Sequence, residues 1–360
     1  MRLERRTVTS PAALVLAPIG AIAFTLAISG LLVIWAGAPL GQTYGLLFKG
    51  GFGSVFALSE TLTRATPLIL TGLAATVAFK ARLFNIGAEG QLYAGALAAV
   101  AVGGLHGGAG FGLPHWLLFA AMLLAAALAG ALLLLGPALL RARLGVDEVV
   151  TTLLLNFIML LFVSMMLDGP MKDPTAMGWP QSVGLIPELE LSKLVPQTRL
   201  HTGLLVAAGL ALALWAFLKF SVAGFDIRAV GANAKAAAFA GVPVTRTVLL
   251  VALLSGGLAG LAGAIEVAGR TSYLTLDMSP GYGYTGIVIA MLAALNPLGV
   301  VVAAVFVAGV LVGADSMSRA VGVPTYIADV IVATSLISVL VATLLTQYRP
   351  TWPNRLKRTP

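Results

Sequence analysis

Asn85, Glu89 and Gln91 stand in the stretch FNIGAEGQLYAG, residues 84–95, interleaved with Gly87, Gly90 and Gly95 and flanked by apolar runs. Asn85 and Glu89 are four residues apart and so share a helix face. Turned toward lipid they would be costly, so they must meet protein or a water-filled path. The glycines let a neighbouring backbone approach, or let the helix break and expose its polar ends. Broken helices of that kind mark transport pathways. The chemistry expected here is hydrogen bonding that lines or braces a gated path. A second break follows at GYGYTGIVIAMLAALNPLG, residues 281–299, too short to cross a bilayer comfortably and ending at Asn296-Pro297. Asn156, one turn after Thr152, is another polar group within an apolar run. The candidate path or gate residues are therefore Asn85, Glu89, Gln91, Asn156, Tyr284 and Asn296. Asp147 and Glu148, just before the Asn156 segment, suit a helix N-terminus and are assigned no chemistry.

Other chemistry is excluded. Cysteine is absent, so disulfides and thiolate metal sites are ruled out. The three histidines, His106, His115 and His201, are scattered without a His-Glu-x-x-His pair, and no G-x-x-x-x-G-K-[ST] loop occurs. Any ATP that drives this protein binds to another chain. The net charge of +8 reads as membrane topology and not as nucleic-acid binding.

The elements that must position these residues are spans. Only 10% of the 360 residues are charged against 59% hydrophobic, with mean hydropathy +0.98, where a soluble domain carries roughly 25% charged. The expected class is all-α: one polytopic transmembrane bundle over residues 1–360, in contact with lipid. Apolar windows place ten helices near 12–36, 65–80, 85–104, 115–136, 148–167, 202–219, 248–268, 283–295, 299–314 and 326–346. The first run is longer than the ~7–15 residues of a cleaved signal core, so it is expected to be retained as a span. With both termini inside, one face receives Arg2, Arg5, Arg6, Lys80, Arg82, Arg141, Arg143, Lys219, Arg228, Lys235, Arg246, Arg349, Arg355, Lys357 and Arg358. The other receives Lys49, Arg64, Lys172, Lys193, Arg199, Arg270 and Arg319. That two-to-one bias predicts cytoplasmic termini and an even number of spans.

Residues 37–64 read as an interfacial or partly re-entrant segment. The 168–201 loop, with five prolines, reads either as a contact surface for an external partner or as a plain linker. Gly256 and Gly260 form a G-x-x-x-G, and Ser255, Ala259 and Gly263 a second small stripe; Gly256, Gly260 and Gly263 are expected to pack helices. Glu266 follows that stripe and is placed to pair with Arg270 at (i, i+4). A faint likeness between NIGAEGQLYAGALAAV and PGYGYTGIVIAMLAAL, five spans apart, suggests an inverted repeat.

The inside loop 221–247 differs in kind. Asn233 suits an N-cap, Ala234–Ala240 two turns of helix, Gly241 a left-handed C′ position, and Pro243 a stop. The face of Ala236, Ala237, Phe239 and Ala240 is apolar and suggests a knob for a socket on another protein. RAVGANAKAAAFAGVP resembles the coupling loop of bacterial ATP-binding cassette (ABC) importer permeases of the ribose, nucleoside and branched-chain amino acid group. LFNIGAEGQLYAGA, DEVVTTLLLNFI and GYTGIVIAMLAALNPLGV are similar to other signatures of that family, and the 168–201 loop looks most like its nucleoside, or simple-sugar, branch. Lys235 and Phe239 depart from the acidic residue and tyrosine of the family pattern.

The resemblance implies an inner-membrane transport subunit and not an enzyme. It would form a homo- or heterodimer with a second permease chain and take substrate from an extracytoplasmic binding protein. It would dock on ATPase subunits, which hold the ATP and magnesium, through Gly231, Asn233, Ala236, Ala237, Phe239, Ala240 and Gly241. The alternatives are a branched-chain amino acid permease of the same group and an ion-coupled secondary transporter using Glu89 or Glu266.

Overall fold

The computed structural model describes residues 2–5, 11–105, 112–322 and 326–351. Arg6, His106, Arg355, Lys357 and Arg358 lie outside the described residues. The chain forms two compact units, divided between two helices at Gly53–Ser54 and within one helix at Gly309–Val310.

The first unit holds the described residues before Ser54 and from Val310 onward. It contains α1 (Pro11–Trp35), α2 (Leu40–Phe52), the second half of α12 (Pro297–Val321) and α13 (Tyr326–Gln347). Helix α2 turns by 117° from the end of α1, so the 37–64 segment read as interfacial holds a helix sharply bent away from the first one and then the start of the next helix, from Val55. The bend is tied by Tyr44, whose hydroxyl donates to the Leu26 carbonyl at 2.6 Å and lies 2.9 Å from Ser29 Oγ. Strand β1 (Arg2–Arg5) pairs antiparallel with β2 (Tyr348–Thr351), bringing the described ends of the chain together.

The second unit, Ser54–Gly309, is a helical bundle. At its centre lies α3 (Val55–Lys80), almost wholly buried from Ala65 to Ala78. Three of its threonines return their hydroxyls to the helix's own carbonyls four residues back: Thr63, Thr66 and Thr71 to Ser59, Leu62 and Pro67. This makes a polar helix acceptable inside an apolar bundle. Against it pack α10 (Val244–Glu266) and α11 (Tyr282–Leu292), while α4 (Ala88–Gly103) and α5 (His115–Leu144) pack on α10 and on each other. Helices α6 (Glu148–Asp168) and α7 (Gly203–Phe220) are mostly exposed, and Phe157, Ile158, Leu161, Leu205 and Leu212 project from them. Large apolar side chains facing outward are what a lipid-facing helix requires.

Small residues set the spacing. A methyl group on Gly256 would collide with the Gly130 carbonyl of α5, one on Gly260 with the Ala126 carbonyl, and one on Gly263 with the Leu92 carbonyl of α4. The stripe on α10 therefore brings α5 and α4 into backbone contact, and packing supplies its attraction where hydrocarbon gives little drive.

Among the described residues, six helices are long and apolar enough to cross a membrane alone, and up to seven if the bent α1–α2 pair counts as one span. Every window expected to be helical contains a helix, α13 included, but α4 and α11 have only 16 and 11 residues. Their lengths, about 24 and 16 Å, fall short of a ~30 Å hydrocarbon core. The 168–201 loop folds back on the bundle through main-chain bonds: Ser182 N–H to Leu274 O, Leu185 N–H to Ser272 O and Leu191 N–H to Ala268 O, at 2.9, 2.7 and 2.8 Å.

Candidate functional site

Residues 83–87 break the path from α3 into α4, and the break is buried apart from the exposed Phe84 and the half-buried Ile86. A helix start leaves backbone N–H groups without helical partners, and here side chains satisfy them. Gly87 N–H donates to Asn85 Oδ1 at 2.9 Å and Gly90 N–H to Asn156 Oδ1 at 2.8 Å. Ile86 N–H reaches Thr152 Oγ1 and Phe84 N–H reaches Glu148 Oε1, both at 3.2 Å. Glu148, Thr152 and Asn156 are spaced by four, so one face of α6 serves the whole break. Asn85 and Gln91 exchange two amide hydrogen bonds of 2.9 Å each. Asn85 Nδ2 also donates to Ser255 Oγ of α10, which donates in turn to the Ala74 carbonyl of α3.

Glu89 joins the break to α11. Its Oε2 accepts the Gly283 N–H at 2.6 Å, and Gly283 sits so close to the Glu89 backbone that no side chain would fit. The carboxylate thus lies in the first turn of α4 and at the N-terminus of α11, where two helix dipoles favour negative charge. The two short helices meet start to start. Thr71 of α3 donates to the Tyr282 carbonyl at 2.9 Å, and Asn156 Nδ2 donates to the Ile86 carbonyl and the Tyr284 hydroxyl at 2.8 and 3.0 Å.

The structure therefore gathers five of the six residues read from sequence, Asn85, Glu89, Gln91, Asn156 and Tyr284, at one junction. The first four are buried, and Tyr284 alone of the five shows a substantial surface, 38% exposed. Asn296 is at the other end of α11, exposed, with its Oδ1 accepting the Leu298 N–H. Sequence reasoning missed Glu148, which also holds Arg141 at 2.6 Å. The four-residue spacing from Glu148 through Thr152 to Asn156 was the available signal. It also missed Ser255 as a polar link, having read it only as small.

A charged group closes the far end of α10, where the helix widens to a π turn over Val267–Thr271. Arg270 Nη1 donates to Glu266 Oε1 at 2.6 Å and to the Tyr282 hydroxyl at 3.2 Å, so the pairing expected at (i, i+4) is present. Arg64 and Glu60 of α3 lie within electrostatic reach of the pair.

The other candidate site is α9 (Ala234–Phe239), which follows α8 (Val222–Ala232). Asn233 caps it, its Oδ1 accepting the N–H groups of Lys235 and Ala236 at 3.0 and 3.1 Å. Gly241 has φ +87°, the left-handed conformation that glycine adopts without penalty. Gly231 lies against the Lys80 carbonyl with no room for a side chain, which fixes α8 to the end of α3. The apolar face read from sequence is divided: Ala237 is turned inward and buried, while Ala236 and Ala240 are exposed and Phe239 is 96% exposed.

The family described as branched-chain amino acid transport system / permease component matches residues 57–345. The guanosine ABC transporter permease protein NupP of Bacillus subtilis is 35% identical over 325 residues, covering 88% of this chain and 90% of the relative. A glucose ABC transporter permease protein of Haloferax volcanii is 37% identical, covering 92% and 88%. A nucleoside ABC transporter permease protein of Lactococcus lactis is 32% identical, covering 89% and 88%. The matched region contains both the buried junction and α9, and this chain belongs to the branched-chain amino acid transport system / permease component family, as a multi-pass membrane permease subunit of an ABC transporter.

Proposed function

We propose that this chain forms the transmembrane path of an ATP-driven importer for a nucleoside or a simple sugar in the inner membrane. Family membership supports the class, and the names of the relatives support the substrate. The chain works as a homo- or heterodimer with a second permease, takes substrate from an extracytoplasmic binding protein, and leaves ATP and magnesium to an ATPase subunit. Ten spans, with α4 and α11 as paired broken helices of an inverted repeat and both termini cytoplasmic, fit the basic-residue bias and the β1–β2 pairing.

The observation that carries the coupling reading is Phe239, an aromatic ring left 96% exposed at the tip of a capped helix outside the bundle. Docked in an ATPase socket, it transmits the closing motion of that subunit to α8 and, through Gly231, to the end of α3. The junction of Asn85, Glu89, Gln91 and Asn156 braces the path, and Tyr284 offers a hydroxyl at its margin. The ion-coupled alternative is disfavoured by geometry, since Glu266 is held by Arg270 and Glu89 by Gly283 N–H.

Titrating the cognate binding protein with guanosine, cytidine, glucose, ribose and leucine tests the substrate class. Nucleoside or sugar binding is expected, and leucine binding alone would overturn it.

A further inference from the structure

The ends of α3 and α7, helix α8 and the turn after α11 line an open cavity of about 430 Å³. Three cations line it, Lys80, Lys219 and Arg228, together with Trp215, Asn296 and Pro297, and the lining contains no carboxylate. Among the described residues, none of the three cations has an ion-pair partner. Lys80 and Arg228 are close enough to repel each other, and the contact of Gly231 with the Lys80 carbonyl holds their two helices together. Lys219 Nζ is poised 4.9 Å from the Trp215 ring centroid and 5.2 Å from that of Phe220. On the opposite wall, Ala294 and Leu295 adopt left-handed backbone conformations, φ +49° and +58°, which non-glycine residues rarely adopt.

Three like charges held together without a counter-ion call for an anion of more than one acceptor oxygen. Their place at helix ends, with an aromatic ring beside them, is the headgroup level of a bilayer. Basic pockets between helices on the cytoplasmic side suit lipid phosphates. We propose that this cavity binds a phosphate group, supplied by the headgroup of an anionic phospholipid. The side of the membrane rests on the orientation proposed above; the phosphate chemistry does not.

Native mass spectrometry of the purified full-length chain, with phosphatidylglycerol or phosphatidylcholine added, tests this. One phosphatidylglycerol is expected to be retained per chain, and phosphatidylcholine, whose choline the cations repel, much less. The double variant Lys219→Gln/Arg228→Gln is expected to bind phosphatidylglycerol about 30-fold more weakly, whereas Arg143→Gln, a basic residue outside the cavity, binds it like the parent. Should the double variant fail to fold, Lys219→Gln alone is expected to weaken binding about fivefold. Displacement by millimolar glycerol phosphate assigns the site to soluble phosphate monoesters, and persistence assigns it to lipid; either outcome supports a phosphate site. Equal binding of the two lipids by the parent, or undiminished phosphatidylglycerol binding by the folded variant, overturns it. Binding is read without transport, so its failure leaves the permease reading intact.

Discussion

The junction of α4 with α11 and the tip of α9 are both built on helix starts, and they are finished in opposite ways. At the junction, acceptors from Asn85, Glu89, Glu148, Thr152 and Asn156 come from within the chain, and the interior closes around them. At α9 only Asn233 acts as a cap, and the Phe239 ring faces outward. The first region is satisfied within a single chain; the second leaves an aromatic ring exposed. A mutation in the first should therefore cost folding, and one in the second should cost transport.

The largest effect is expected from Asn156→Leu. It removes the bonds to Gly90 N–H, Ile86 O and the Tyr284 hydroxyl and leaves two buried main-chain groups unpaired. At about 1–3 kcal/mol for each buried orphan, the loss should reach about 3 kcal/mol. Thermal unfolding in detergent measures it, and a variant as stable as the parent would show that the junction is not held from within. Phe239→Asp is the converse case. An exposed substitution should move stability by less than about 0.5 kcal/mol, yet uptake and co-purification of the ATPase should each fall at least about tenfold, as for an aromatic interface anchor. Normal uptake would remove the docking role. Ala237→Arg is a poorer probe, because Ala237 is buried and the change would disturb the fold directly.

How much of this contrast was legible in the sequence depended on how local the cause was. The Asn233 cap, the left-handed Gly241 and the (i, i+4) pair of Glu266 with Arg270 follow from short-range spacing, and all three are present. The G-x-x-x-G stripe announced close packing but not its partners, because Gly130 of α5 and Leu92 of α4 are remote in sequence. Glu148 read as a helix-start acid, although Asp147 fills that role by accepting the Val149 N–H and Glu148 reaches Phe84 instead. That reach of 64 residues depends on how α6 lies against α4, which periodicity does not encode. The inward turn of Ala237 was equally hidden, since Ala236, Ala237 and Ala238 are identical and their spacing does not tell which one faces the bundle.

Glu89→Gln sharpens the comparison within the junction. Glutamine keeps an acceptor for the Gly283 N–H but removes a charge lying at two helix starts, each contact worth roughly 0.3–1 kcal/mol. A stability loss of about 1 kcal/mol is expected, with uptake reduced several-fold and ATP hydrolysis less affected, because the brace loosens without collapsing. Vesicles containing the assembled transporter give both rates. If uptake matched the parent, the carboxylate would have a packing role alone.

His201 is an intermediate case, buried like the junction yet incompletely satisfied like α9. It precedes α7, its ring fully buried against Gly269; Nδ1 accepts the Gly203 N–H at 3.2 Å, so the proton of the neutral ring sits on Nε2, which has no partner among the described residues. Burial, and then the positive charge of Lys193, push its pKa down to about 4 from an ordinary 6.5. The folded chain therefore keeps the ring neutral between pH 6.5 and 4, while the unfolded chain takes up a proton. In that window the unfolded state binds more protons, so stability is full above pH 6.5 and falls as the pH drops toward 4. Lowering the pH from 7 to 5.5 should cost about 1 kcal/mol through this one group. His201→Gln cannot titrate, so its stability should fall by about that much less over the same interval, whatever its starting value. Unfolding the parent and the variant at both pH values isolates the difference, and parallel losses would mean that the ring takes up a proton at Nδ1 in the fold, giving up its bond from the Gly203 N–H.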